Sequence, residues 1–79
     1  MPNYRITVRD GNEPAEGVEH HANVDLARGS AARSAINILV ERRSGSEPLT
    51  ATVTVRDEST GITHTVLVSI LVSHTVDRP

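Results

Sequence analysis

The 79-residue chain contains no cysteine, which excludes a disulfide framework, a thiol nucleophile and any zinc or iron–sulfur centre built on cysteine. Its one aromatic residue is Tyr4, with no tryptophan or phenylalanine. Sites that hold bases, sugars or flavins by ring stacking therefore have a single ring to draw on. Lysine is missing too: all eight basic residues are arginine, set against ten acidic ones for a formal charge of -2. That balance lacks the positive excess with which proteins bind a phosphate backbone. No apolar run approaches the ~18 residues of a membrane span, and Met1-Pro2-Asn3-Tyr4 leads straight into alternating sequence without an apolar leader. These features predict one cytoplasmic domain of a bacterial cell, engaging neither nucleic acid nor membrane. A chain this short buries only roughly 60% of its unfolded surface, which leaves no second core and a thin stability margin.

What is present is a change of period along the chain. Tyr4, Ile6 and Val8 alternate with Arg5, Thr7 and Arg9, the period of a half-buried strand over residues 4–9. Asp10-Gly11 ends it. Residues 10–24 are rich in Glu, Gly and Pro with Val18 as the main apolar anchor, and are expected to form an acidic surface loop without regular structure. From about Asp25 the period becomes helical: Ala27, Ala31, Ala35 and Ile38 form one stripe, with Ala32, Ile36, Leu39 and Val40 beside it. The helix is expected over about 25–44, ending with Arg42 and Arg43 in its last turn, Gly45 as a left-handed cap and Pro48 as a barrier. Gly29-Ser30 blurs its start, and Asp25 is favoured over a later start with Ser30 as N-cap.

Two strands follow, over 49–57 and 62–73, with a tail over 76–79. A four-residue loop from Glu58 to Gly61 sets Val55 against His64, Val53 against Val66, Ala51 against Val68 and Leu49 against Ile70. A loop shorter by one residue would oppose Thr54 to Val66 and mix the faces, so the longer loop is expected, with Gly61 in the left-handed region. The last strand is the most apolar segment, which points to the sheet centre. The expected architecture is α+β: a split β-α-β-β unit with a three-stranded antiparallel sheet in the order 1-3-2 and one helix on one face.

Met1-Pro2-x-Tyr4 with Val8-Arg9-Asp10-Gly11, then Glu16-Gly17-Val18-Glu19, an alanine-rich helix and Val55-Arg56-Asp57-Glu58 before a glycine turn are similar to a recurrent pattern. The chain resembles an uncharacterised family of short alphaproteobacterial proteins, a domain of unknown function written M-P-x-Y-x-F-x-x-R-D-G, E-G-x-E, helix, V-x-D-E-x-G. The aromatics usual in that family's first strand are absent here apart from Tyr4. The resemblance spans nearly the whole chain and implies the fold, with no activity to carry over.

Several chemistries can be weighed against blander readings. His20 and His21, beside Glu16, Glu19 and Asp25, offer nitrogen and oxygen ligands of a kind zinc or nickel accepts, yet adjacent side chains in extended backbone point apart. His64 and His74 lie roughly 33 Å apart along an extended strand, too far to share a site within one protomer. A metal is not expected, and His64 is read as a core-rim histidine. Pro2, if exposed after removal of Met1, would present an amine titrating near neutrality as a tautomerase base does; the plainer reading is a strand-opening proline. Arg5, Arg9 and Arg56 among threonines on one sheet face suggest an RNA-binding surface, but the stacking aromatics are missing. No nucleophile elbow, P-loop or dinucleotide fingerprint is present.

Two features remain unexplained by the core. Leu67 and Leu71 fall on the face away from the helix, and the last strand runs on through Ser73-His74-Thr75-Val76 beyond its hairpin partner. Exposed leucines beside an unpaired edge mark an association surface. The expectation is a non-enzymatic domain with no cofactor, homodimeric and protein-binding, with Leu67, Ser69, Leu71, Ser73 and Val76 at the interface. Ser69 to Val76 are expected to pair across it, with Leu67 and Leu71 flanking. The competing readings are a small metal-binding protein using the His20-His21 loop and a Pro2-based tautomerase-like enzyme.

Overall fold

The computed structural model describes residues 2–42, 49–71 and 75–78. In chain order the elements are β1 (Asn3–Arg9), β2 (Ala15–His20), α1 (Val24–Arg42), β3 (Leu49–Asp57) and β4 (Thr63–Ile70). The four strands make one sheet in the order β2-β1-β3-β4, antiparallel at every pairing. One face packs against α1 through a single core. The α+β class and the antiparallel sheet are as expected from sequence, but two features differ.

The first is a fourth strand. Residues 10–24, expected as an irregular loop, contain β2. The Asp10-Gly11 turn is where the chain reverses: Gly11 takes φ 91, a left-handed angle that glycine adopts without steric penalty, and the Asp10 carboxylate accepts the Asn12 N–H at 3.2 Å. β2 then pairs with β1 from Val8↔Ala15 to Asn3↔His20. It escaped the pattern because every residue in it but Glu19, itself half-buried, is exposed. A strand that buries neither face has no alternation to display.

The second is strand order. β3, not the last strand, lies in the interior between β1 and β4, and β4 is an edge. An apolar run does not by itself mark the centre. The better mark is complete burial of one face: Ala51, Val53 and Val55 of β3 are 2%, 0% and 0% exposed, whereas β4 owes part of its apolar character to Leu67, which is 71% exposed. Because β2 and β3 both run antiparallel to β1, they are parallel to one another. The segment from β2 through α1 to β3 is thus a split β-α-β crossover with β1 between its strands.

The β3–β4 hairpin has the expected register, with Leu49↔Ile70, Ala51↔Val68, Val53↔Val66 and Val55↔His64 in pairs. Asp57 N–H donates to the Ile62 carbonyl at 2.9 Å, Gly61 N–H to the Asp57 carbonyl at 2.8 Å, and Gly61 takes φ 76. The Asp57 carboxylate also accepts from the backbone N–H and hydroxyl of Ser59 at 2.9 and 2.6 Å. The turn is closed by its own polar groups, so the hydrophobic pattern and the loop chemistry select one register.

The helix begins at the earlier of the two expected positions. Asn23 is the N-cap: its Oδ1 accepts the Leu26 N–H at 3.0 Å, three residues on, as a cap requires. Ala27, Ala31 and Ala35 are fully buried and Leu39 nearly so, while Ile36 is 40% and Val40 48% exposed. The apolar face is therefore narrower than its sequence stripe. Three alanines on the contact line let the helix axis approach the sheet closely. Arg43, Gly45, Pro48, Ser73 and His74, on which the expected C-cap and strand overhang rest, lie outside the described residues.

A core built on alanine leaves no room for larger side chains. Ala35→Leu is expected to lower stability by about 1–3 kcal/mol in urea unfolding, whereas Ile36→Ala, at the exposed flank of the same helix, is expected to change it by well under that. Equal effects would contradict the close approach.

Candidate functional site

The sheet has an outer face that no element among the described residues covers. Its cross-strand rows follow from the register: Val18, Arg5, Arg56 and Thr63; Glu16, Thr7, Thr54 and Thr65; Arg9, Thr52 and Leu67; Thr50 and Ser69. Thr7 is only 9% exposed, screened by the rows around it. Arg5 faces Arg56, a like-charge pair that is relieved by two carboxylates. Arg5 Nη1 donates to Glu16 at 3.0 Å and its Nε to Glu58 at 2.7 Å, which holds its guanidinium above its ordinary pKa. These side chains are a third to a half exposed, so solvent screening leaves the pairs little net effect on stability. Their effect is geometric: one arginine ties β2 and the β3–β4 turn to β1.

Toward the other end of the face two leucines stand among these polar residues. Leu67 and Leu71 are 71% and 68% exposed, and from Thr63 to Ile70 the only ionisable residue is His64. His64 is half-buried on the inner face opposite Val55, the core-rim position expected of it.

Backbone direction decides which groups line the two edges. In an antiparallel sheet each residue aims its N–H and C=O at one neighbouring strand or the other, in alternation. Asp57 bonds Ile62, so His64, Val66, Val68 and Ile70 turn their backbone groups toward β3. Thr63, Thr65, Leu67 and Ser69 turn theirs outward. Glu58 N–H donates to Asn3 at 3.0 Å and His21 N–H to Pro2 at 3.3 Å, which sets the same phase across the sheet and turns Glu16, Val18 and His20 outward on the β2 edge. Each free edge therefore presents the residues whose side chains lie on the outer face. The β2 edge is short and carries Glu16; the β4 edge is neutral.

A second feature lies on the inner face. The helix lies over β3 and β4 and touches β1 least of the three. Of the inward residues of β2, Ala15 and Gly17 are too small to reach it, and only Glu19 does. A groove of about 150 Å³ remains, floored by Ile6, Val8, Ala15 and Gly17 and walled by Ser34 and Ile38 of α1. At its end Glu19 accepts from the Ser30 hydroxyl at 2.8 Å and hydrogen-bonds His21 Nε2 at 2.7 Å. The His21 ring in turn lies 6.2 Å from that of buried Tyr4. These two contacts, His21 first, hold the Glu19 carboxyl below its ordinary range. Burial, and then the Asp57 charge, push the Tyr4 hydroxyl up.

The structure separates several residues that the sequence sets side by side. His20 ends β2 with its side chain exposed, while His21 turns inward to Glu19. Asp25 pairs with Arg28 within the first turn of α1. Among the described residues no three His, Asp or Glu side chains converge on one point. Pro2 opens β1 with its carbonyl bound to His21 N–H. Of the expected interface residues, Leu67 and Ser69 lie on β4, Leu71 follows it, Val76 is 62% exposed beyond it, and Ser73 is outside the described residues. Sequence reasoning missed Val18 and the groove over Gly17. The Asp10-Gly11 turn was the available signal, since such a turn often introduces a second hairpin strand.

The polar ties of this site should read out in acid. Glu19 and Asp57 both have folded pKa values below their ordinary ones, Asp57 through the Ser59 hydroxyl and N–H. A depressed carboxyl stabilises the fold above its unfolded pKa of about 4 and loses that contribution as pH falls through the lower folded value. Urea midpoints are therefore expected to decline from about pH 5 downward, and less steeply in Glu19→Gln and Asp57→Asn. Identical slopes in all three proteins would count against these contacts.

No protein-family model, curated protein or solved structure matches this chain.

Proposed function

We propose that the protein is a non-enzymatic interaction domain that self-associates through the β4 side of its sheet and offers the assembled surface to a protein partner. The observation that carries this reading is the pair Leu67 and Leu71, 71% and 68% exposed, beside a β4 edge without charge. Burying a leucine stabilises by roughly 1.5–3 kcal/mol when burial is complete. Free backbone groups on the adjoining edge supply direction. A small domain with a thin margin gains stability by association.

The readings from other classes have less behind them. A metal site at His20 and His21 lacks converging donors among the described residues. The Pro2 reading needs Met1 removed to free the amine, and the Pro2 carbonyl is occupied in pairing with the His21 N–H. An RNA surface would need rings on the outer face, and Tyr4 lies buried on the inner one. Bacterial cytoplasm as the setting, and kinship with the short alphaproteobacterial proteins, belong to the same proposal and rest on composition and short motifs.

Sedimentation equilibrium tests the reading. A mass of twice 8.5 kDa is expected at hundreds of micromolar, returning to the monomer in Leu67→Arg and Leu71→Arg with the helical circular dichroism unchanged. A monomer at every concentration, or arginine variants as associated as the parent, would reject it.

A further inference from the structure

The phase of the β4 edge and the flank of the helix beside it specify more than association in general. Resting on the self-association above, we infer that two copies join β4 to β4 about a two-fold axis through Leu67, making one continuous eight-stranded sheet with both helices on the same face.

The outward backbone groups belong to Thr63, Thr65, Leu67 and Ser69. Two such edges exchange N–H···O=C bonds antiparallel when outward residues oppose outward residues. Among the registers that satisfy this, the one centred on Leu67 opposes Leu67 to itself on the outer face and Thr65 to Ser69. On the inner face it sets Val66 against Val68 and His64 against Ile70. The rows join residues of like polarity apart from two rim pairs, His64 with Ile70 and Thr63 with Leu71. The strand carries no fixed charge, so it meets its own copy without repulsion. The β2 edge offers less: it has six residues and no leucine, and among its outward positions it carries Glu16, a charged guard. A second copy at β4 is the occupant that this longer, uncharged edge favours.

The inner face supplies the rest of the contact. Ser30 reaches Glu19 at the β2 end, and Ser34 and Ile38 line the groove over β1 and β2. The opposite flank of the buried stripe, at helical spacing, carries Ala32 and Ile36 and lies toward β4. Ile36 is 40% exposed in the monomer. With strands about 4.8 Å apart, a helix over the β3–β4 pair has its axis roughly 5 Å from the two-fold, which brings the two helices roughly 10 Å apart. That is close to the 8–10 Å (about) at which helices pack. A strand pairing alone buries less than the roughly 1,200 Å² of a stable interface; the helix flanks extend it.

Because the chain has no cysteine, single cysteines report the geometry cleanly. Leu67→Cys is expected to form a disulfide dimer on oxidation, since opposed bonded residues lie about 5.5 Å apart at Cα. Thr63→Cys is not, its symmetry mate lying roughly 27 Å away along the strand. In the unmodified protein the Thr65, Leu67 and Ser69 amides are expected to exchange about a hundredfold more slowly at dimer concentrations than on dilution. Ile36→Glu is expected to weaken dimerisation at least about tenfold while keeping the monomer's fold. A dimer by sedimentation whose three amides stay fast, or in which Thr63→Cys cross-links instead, would overturn this arrangement and favour face-to-face stacking while leaving self-association intact. A protein that never dimerises would overturn both.

Discussion

A helix is about 10–12 Å across with its side chains, and strands lie about 4.8 Å apart, so one helix covers about two strands. This protein sets one helix on four. The close seat of Ala27, Ala31 and Ala35 on the buried face of β3 places that limited cover, and the rest of the molecule follows from where it stops. β3 is sealed on its inner face, β1 and β4 share in the core, and β2 receives none of the helix's apolar surface. The outer face has no helix over it among the described residues.

Each uncovered region is handled by different chemistry. β2 is tied down by polar contacts: backbone pairing to β1, Arg5 to Glu16, and Glu19 to Ser30 and His21. Besides Glu19 its inward residues are Ala15 and Gly17, so little apolar surface is lost by leaving a groove above them. The β4 side has no such ties. Its outer surface ends in Leu67 and Leu71, and its edge groups have no polar guard of the kind Glu16 provides at β2. The asymmetry between the two edges is the basis for reading one as closed and the other as an association surface.

Arg5 shows how the outer face avoids becoming a basic patch. It stands opposite Arg56, yet two carboxylates from different elements converge on it. The charge that might have recruited an anion is used to join β1, β2 and the β3–β4 turn. What remains for a partner on this face is a threonine field that includes Arg9 and Arg56 and is bordered by leucine.

By itself the sequence determined those elements whose residues repeat a local signal. Tyr4, Ile6 and Val8 alternate because one face of β1 is buried. The β3–β4 register follows from matching Val53 to Val66 around a loop that needs Gly61. The alanine stripe and the exposure of Leu67 and Leu71 were legible for the same reason. The tertiary structure alone decided what depends on neighbours distant in the chain. β2 exists because β1 offers its backbone groups an edge, although none of its own residues buries a face to announce it. β3 is interior because α1 seats on Ala51, Val53 and Val55, while the more apolar β4 stands at the edge with a leucine in solvent. Local periodicity records whether a face is buried; the order of strands, and hence which edges are free, is set by where one helix can pack.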